Sequence, residues 1–245
     1  MKEKAHDAPR GLIILAFALI YILWGTTYLA IHYAVQTIPP FMMAGTRYII
    51  AGLVLYGWAR LKGASKAGVK HWLACLAVGA LLLLGGNGLL VWSEQWVPSG
   101  LAALLIATEP LWVVVLDWVL PGGRRPNARV IIGLVAGFLG LFLLVDRGKS
   151  SAGSHTTSMG IAACLIAALS WAAGSIYAQR AKLPRNPALI SGMQMLSGGA
   201  LMTVTGMSVG EFSRLHINTV QIVSIIGWLY LIIFGAIIGF TAYAG

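Results

Sequence analysis

Residues 39–52 read PPFMMAGTRYIIAG, and residues 186–199 read NPALISGMQMLSGG. Laid over each other with a shift of 147 residues, they place Pro40 on Pro187, Gly45 on Gly192 and Gly52 on Gly199 without a gap. The same shift carries Trp24 onto Trp171. After a nine-residue insertion the shift becomes 156, and HWLACLAVGA (71–80) meets GWLYLIIFGA (227–236). That block pairs Trp72 with Trp228, Leu73 with Leu229, Gly79 with Gly235 and Ala80 with Ala236. Apolar sequence matches itself easily by chance, so no single pair carries weight. Two ordered blocks on one frame imply an internal repeat.

What repeats is a set of membrane helices. The chain is 58% hydrophobic and 10% charged, with a mean hydropathy of +0.83. A soluble domain carries about 25% charged residues, and so few polar residues cannot cover a water-facing surface. Eight apolar runs, at 12–35, 41–60, 71–93, 98–120, 127–145, 158–180, 187–209 and 224–245, are each long enough to cross a ~30 Å hydrocarbon core at ~1.5 Å per residue. The breaks between them carry turn chemistry, as in TIPP, KGASKAG and LPGGRRPN. The first run is too long for a signal peptide and lacks a small-residue cleavage site, so it reads as a helix.

The net charge of +10 does not point to nucleic acid, because the basic residues sit in short connections between apolar runs. With the N-terminus inside, 13 of the 17 Lys and Arg fall on the inner side and only Arg147, Lys149 and Arg214 on the outer. The expected orientation is therefore N-terminus cytoplasmic. Trp58, Trp72 and Trp118 would lie near the inner boundary and Trp92 and Trp96 near the outer. Cys75 and Cys164 fall in apolar runs and read as packing residues.

The first copy of the repeat spans five helices, residues 12–145, and the second, residues 158–245, holds three. An odd number of spans turns the second copy upside down. Inverted repeats of this kind place a binding site at the membrane midplane between two exchangeable halves. The second copy is read as stopping two helices short, as a fragment or a truncated reading frame would.

Four stretches carry a family resemblance: YILWGTTYLAI (21–31), PPFMMAGTRYIIAG, LLLLGGNGLLVWSEQWVPSGLAALLIATEPLW (81–112) and ALSWAAGSIYAQR (168–180). The chain resembles the EamA-type transporters of the drug/metabolite transporter superfamily, in the YedA-like subgroup of bacterial inner-membrane permeases. That resemblance implies an all-α polytopic bundle of two inverted five-helix repeats, with both termini cytoplasmic and a central solute cavity. It implies movement of small metabolites, amino acids or drugs, often outward, across the bacterial inner membrane. It assigns no particular substrate.

The polar residues inside the apolar runs are the site candidates. Arg47 is the only charge between Ile38 and Ala59 and lies about 10 Å deep at helical rise. Charges at such depth face a bundle interior or a wet cavity, and its repeat mate Gln194 is polar too. A guanidinium fork suits the carboxylate of an anionic or zwitterionic solute; a structural role holding a neighbouring helix is the alternative. Glu109, followed by Pro110, lies near the midplane, where a carboxyl can bind and release a coupling proton; the alternative is a neutral acid bonded across helices. Asn87 sits among Gly85, Gly86 and Gly88, which suit either cavity lining or close helix packing. Trp24, Tyr28, Trp171 and Tyr177 are expected as aromatic walls or as packing.

Glu94 and Ser99 are placed at the outer mouth, Glu94 as an interfacial residue and Ser99 as a helix cap. Asp117 is expected to anchor on Arg124 or Arg125. Arg47→Ala and Glu109→Gln are each expected to abolish flux while leaving insertion intact.

Other classes fare worse. The five histidines, His6, His32, His71, His155 and His216, are scattered, and HExxH, GxSxG and CxxC do not occur. The chain is therefore not read as an enzyme, and it carries no cofactor or metal motif. No loop is long enough to re-enter as a channel filter. The competing reading is a non-transporting piece, or half of a hetero-assembly. The expected partners are a small-molecule solute and the bilayer.

Overall fold

The computed structural model describes residues 10–123, 125–151 and 157–239, and these are helical with no strand. The long helices are α1 (Arg10–Ala34), α2 (Pro40–Leu61), α3 (Val69–Ser93), α4 (Ser99–Val119), α5 (Ala128–Ser151), α6 (Ser158–Arg180) and α7 (Pro187–Ser208). One further turn, α8 (Glu211–Arg214), leads to α9 (Ile222–Ile238). Each falls on one of the eight apolar runs. The α5 helix runs on to Ser151, and the end expected for the last run lies outside the described residues. Val69–Ser93, Ser99–Val119, Ser158–Arg180 and Pro187–Ser208 are long and apolar enough to cross a membrane. Leu53, Val54, Ile131, Ile132, Ile166 and Val204 point outward and are exposed, as lipid-facing residues are. The protein is a polytopic membrane helical bundle.

Its centre is the crossing of α2 and α7, which glycine makes possible. A Cβ added at Gly45 would lie 3.0 Å from the Gly199 carbonyl, and one at Gly199 would lie 2.9 Å from the Gly45 carbonyl. Gly52 and Gly192 form the other half of the contact: Gly52 would meet the Gly192 carbonyl at 3.0 Å, and Gly192 would meet the Tyr56 amide nitrogen at 2.6 Å. The two backbones touch with no side chain between them, the close approach that small residues permit in membrane bundles. Met43, Ala44, Tyr48, Ala51, Met195 and Met202 bury around the crossing.

Two helices are locally widened. Residues Ala80–Gly88 of α3 and Leu231–Ile238 of α9 have π geometry. Such segments leave backbone carbonyls partly free, and in α3 the Ser170 hydroxyl of α6 donates to the Leu81 carbonyl at 2.8 Å. The α4 helix breaks at Ala107–Thr108, just before Pro110, which has no N–H to continue the ladder. Its expected cap is corrected: Pro98 holds the N-cap position and Ser99 is the first helical residue, with no side-chain cap bond.

The starts of α6 and α7 are capped by their own neighbours, Thr157 Oγ1 accepting from the Gly160 amide and Asn186 Oδ1 from the Leu189 amide. The start of α2 is not. Pro39 holds its N-cap position and Pro40 its first turn, with no side-chain cap bond. The carboxylate of Glu211 instead accepts from the amides of Phe41 at 3.2 Å and Met42 at 2.8 Å. Gly206 leaves room for it, since a Cβ there would stand 3.1 Å from Glu211 Oε2. Burial pushes this carboxyl above the usual carboxylate range, against the pull of the two amides and Arg214. Its net contribution to stability is therefore fully present below the ordinary carboxylate pKa and is lost as pH rises through the raised value. At pH below the ordinary carboxylate range, Glu211→Ala is expected to cost about 1 kcal/mol, the usual worth of a helix cap, with Glu211→Gln recovering part and the difference from wild type shrinking as pH rises. Thermal unfolding of the purified protein in detergent checks this.

Candidate functional site

A cavity of about 50 Å³ lies beside the α2–α7 crossing. It is lined by Thr27, Tyr28 and Ile31 of α1, Arg47 and Tyr48 of α2, Asn87 and Leu90 of α3, Trp171 of α6 and Gly235 of α9. That is room for a few water molecules at most. Larger concavities of about 390 and 450 Å³ lie toward opposite ends of the bundle. The first is lined by Trp92, Gln95, Trp96 and Glu211, the second by Asp117, Arg125, Gln179 and Arg180.

The cavity wall is built by glycine at α3. A Cβ at Gly85 would strike Ser170 Oγ at 2.1 Å, and one at Gly86 would lie 3.2 Å from the Trp171 ring. These two glycines let α6 approach closely enough for Ser170 to bond Leu81 and for Trp171 to reach the wall. The next polar residue, Asn87, lies 40 positions from Arg47 in sequence and meets it directly: Arg47 Nη2 donates to Asn87 Oδ1 at 3.0 Å and to Tyr48 Oη at 2.9 Å. The guanidinium carbon also stands 4.5 Å from the centre of the Tyr48 ring. A guanidinium has only donors, so Asn87 must turn its oxygen toward it.

Two donors are left over. Arg47 Nε and Asn87 Nδ2 are buried and have no hydrogen-bond partner among the described residues. The residues that carry them are 3% and 5% exposed. Unpaired buried donors are costly, about 1–3 kcal/mol each, so this arrangement is suited to a group that brings acceptors: a carboxylate, a phosphate or a carbonyl.

The structure thus brings together Arg47, Asn87, Tyr28 and Trp171 from the sequence candidates. It does not bring the others to the cavity wall. Glu109 sits at the break in α4, partly exposed, away from the Arg47–Asn87 contact. Tyr177 is 42% exposed. Gln194 is half-buried on α7, its backbone carbonyl packed against Gly79 of α3. The Trp24 side chain lies outside the described residues. Glu94, expected at an interface, is 3% exposed. It is the first residue past the span Val69–Ser93, and neither carboxyl oxygen has a hydrogen-bond partner among the described residues. Burial pushes this carboxyl up to about 9, against the pull of Arg47.

At the far end, Asp117 pairs with Arg180 of α6 at 3.6 Å; of the two partners expected from sequence, Arg124 lies outside the described residues and Arg125 makes no ion pair with Asp117 among them. Both side chains are nearly half exposed, so Asp117→Asn is expected to change stability by no more than about 1 kcal/mol, and added salt should erase the difference in unfolding temperature.

Known proteins resemble this chain over nearly its whole length. Residues 11–146 match the EamA-like transporter family. The uncharacterized inner membrane transporter YedA of Escherichia coli K12 is 33% identical over 232 residues, 93% of this chain and 72% of that protein. Protein PagO of Salmonella typhimurium LT2 is 29% identical over 239 residues, 94% of this chain and 75% of that protein. The probable amino-acid metabolite efflux pump of Escherichia coli K12 is 23% identical over 240 residues, 91% of this chain and 73% of that protein. A crystal structure at 20% identity superposes with a TM-score of 0.53, covering 96% of this chain and 85% of that one, which is a likeness of fold.

Proposed function

The chain belongs to the EamA-like transporter family, and from that premise we propose that it moves a small anionic or zwitterionic solute through the cavity at Arg47 and Asn87 by alternating access. Membrane transport of small solutes is the business of its relatives; the solute class and the mechanism are our reading. The observation that carries it is the pair of buried donors beside a central cavity, Arg47 Nε and Asn87 Nδ2, which have no hydrogen-bond partner among the described residues. A cavity of about 50 Å³ is far below the ~300 Å³ of an ordinary ligand pocket. A metabolite therefore enters only when the helices part.

Two inverted repeats, residues 12–145 and 158–245, would supply that movement. The α2–α7 crossing supports them. A shift of 147 turns Gly45 into Gly192 and Gly52 into Gly199, so it exchanges the Gly45–Gly199 contact with the Gly52–Gly192 contact. A pseudo-twofold axis in the membrane plane requires just that exchange. We read the N-terminus as cytoplasmic, as the basic loops favour, and the protein as a proton-driven exporter of the bacterial inner membrane, a direction that rests on the outward transport often found in the resembled family.

Reconstitution into liposomes tests this. Radiolabelled amino acids and small carboxylates, offered singly, should show protein-dependent counterflow for at least one member. Counterflow no greater than in empty liposomes across that panel, from monodisperse protein, would overturn the proposed solute class.

A further inference from the structure

The proton has been assigned to no residue that faces the cavity. Glu109, the midplane carboxyl singled out from the sequence, lies off the cavity wall and is partly exposed. Glu94 is not on that wall either, but it lies one turn beyond Leu90 on the helix that forms it, and it is the more deeply buried of the two. Asn87, Leu90 and Glu94 follow the i, i+3, i+7 spacing of one helix face, and the first two line the cavity. The Glu94 amide donates to the Leu90 carbonyl at 3.1 Å, so helical geometry continues to Glu94. The side chain is 97% buried by its 3% exposure, and both oxygens lack a partner among the described residues.

The titratable groups around Glu94 come from three other helices. Tyr28 of α1 and Cys164 of α6 both feel its charge, and Cys164 Sγ lies 3.0 Å from the hydroxyl of the adjacent Ser93. Neither is a cation. Arg47 of α2 is, and it acts on Glu94 electrostatically while its hydrogen bonds go to Asn87 and Tyr48. A carboxylate buried without a bonded cation is unfavourable, so the neutral acid is the form this arrangement holds.

We propose that Glu94 is the proton-binding residue of the transport cycle and that Arg47 is the switch that decides when the proton leaves. The proposal rests on the transport reading above. In the arrangement seen here Arg47 is engaged by Asn87 and Tyr48, and Glu94 is neutral. When Arg47 leaves those partners for Glu94, the carboxyl O–H bond breaks and the proton passes to water. The carboxylate left behind is balanced by the guanidinium. When Arg47 returns to Asn87 and Tyr48, Glu94 takes a proton back from water. A solute that supplies acceptors to Arg47 competes with the carboxylate for the same guanidinium, which ties solute binding to proton binding.

The test is an infrared titration of the full chain in lipid nanodiscs, with no solute added. The wild type should show the carbonyl stretch of a protonated carboxyl at neutral pH. Glu94→Gln should remove that band and Glu109→Gln should leave it. Glu94→Asp, which keeps a carboxyl, should retain a titrating band, so loss in Glu94→Gln is not read from a misfolded protein. Arg47→Ala should move the titration to higher pH, because the cation that favours the charged form is gone.

A wild-type spectrum with no Glu94-dependent band at neutral pH overturns the proposal. So does a titration that Arg47→Ala leaves in place. Because no solute takes part, these outcomes are independent of the counterflow assay. The titration can fail while transport stands, and transport can fail with the titration intact.

Discussion

Arg47→Ala lowers transport into proteoliposomes by tenfold to a hundredfold at equal amounts of folded protein. The guanidinium is the only group shown holding Asn87 Oδ1, and its removal leaves a buried carbonyl oxygen without that partner, at about 1–3 kcal/mol. It also removes Nε, the unpartnered donor proposed above to meet the solute. At about 1.4 kcal/mol per factor of ten, the loss of one such interaction gives the range stated. Arg47→Lys keeps the charge but not the fork, so it should fall between wild type and Arg47→Ala. Counterflow of the responsive solute, with gel filtration to confirm a monodisperse protein, measures both. Wild-type flux in a well-behaved Arg47→Ala protein would take Arg47 out of the solute path and leave it a purely structural residue.

Gly192→Ala unfolds at markedly lower temperature than the wild type, by an amount that corresponds to at least the ~1–3 kcal/mol of an overpacked core. The added Cβ would stand 2.6 Å from the Tyr56 nitrogen and 2.9 Å from its Cα. These are backbone atoms, so no rotamer change relieves the clash and α2 itself must move. Gly57→Ala on the same α2 helix is the control, since a Cβ there meets nothing within 4 Å. It should be neutral or stabilising, as Gly→Ala in a helix interior is by ~0.5–1 kcal/mol. Heating each variant and following the monodisperse peak on gel filtration reads out both. Equal stability of the two variants would mean that α2 and α7 do not touch through their backbones.

The helices were legible because hydropathy in a membrane chain is nearly a one-dimensional signal. An apolar run must be a spanning helix, and turn residues end it. Contacts across the bundle were less legible. The repeat aligned Gly45 with Gly192, yet Gly45 touches Gly199: a shift reports which positions are equivalent, not which ones meet. Asp117 shows the same limit, since its ion pair is with Arg180 on another helix, a partner that spacing along the chain did not suggest.

Depth was readable but facing was not, and this separated the two glutamates. Neither lines the cavity wall, but Glu94 continues the helix that carries Asn87 and Leu90 onto it while Glu109 sits at the break in α4. Glu94 looked interfacial because VPSG follows it, and the sign of its burial was its heptad spacing from Asn87. The role of Glu211 had a sequence signal too. The helix that opens with Pro39 and Pro40 brings no Ser, Thr, Asp or Asn to its own start, so its acceptor had to come from elsewhere.

That borrowed acceptor sets an order of events during synthesis. Glu211 lies 170 residues beyond Phe41, so the ribosome completes α2 long before it reaches the carboxylate that closes its first turn. Until then the amides of Phe41 and Met42 must be served by water at the membrane surface. The Arg47 helix is therefore made before its first turn has a protein cap, and the connection between α7 and α9 supplies that cap when it emerges. Assembly of this bundle is completed from its C-terminal side, by a residue that belongs to the other half.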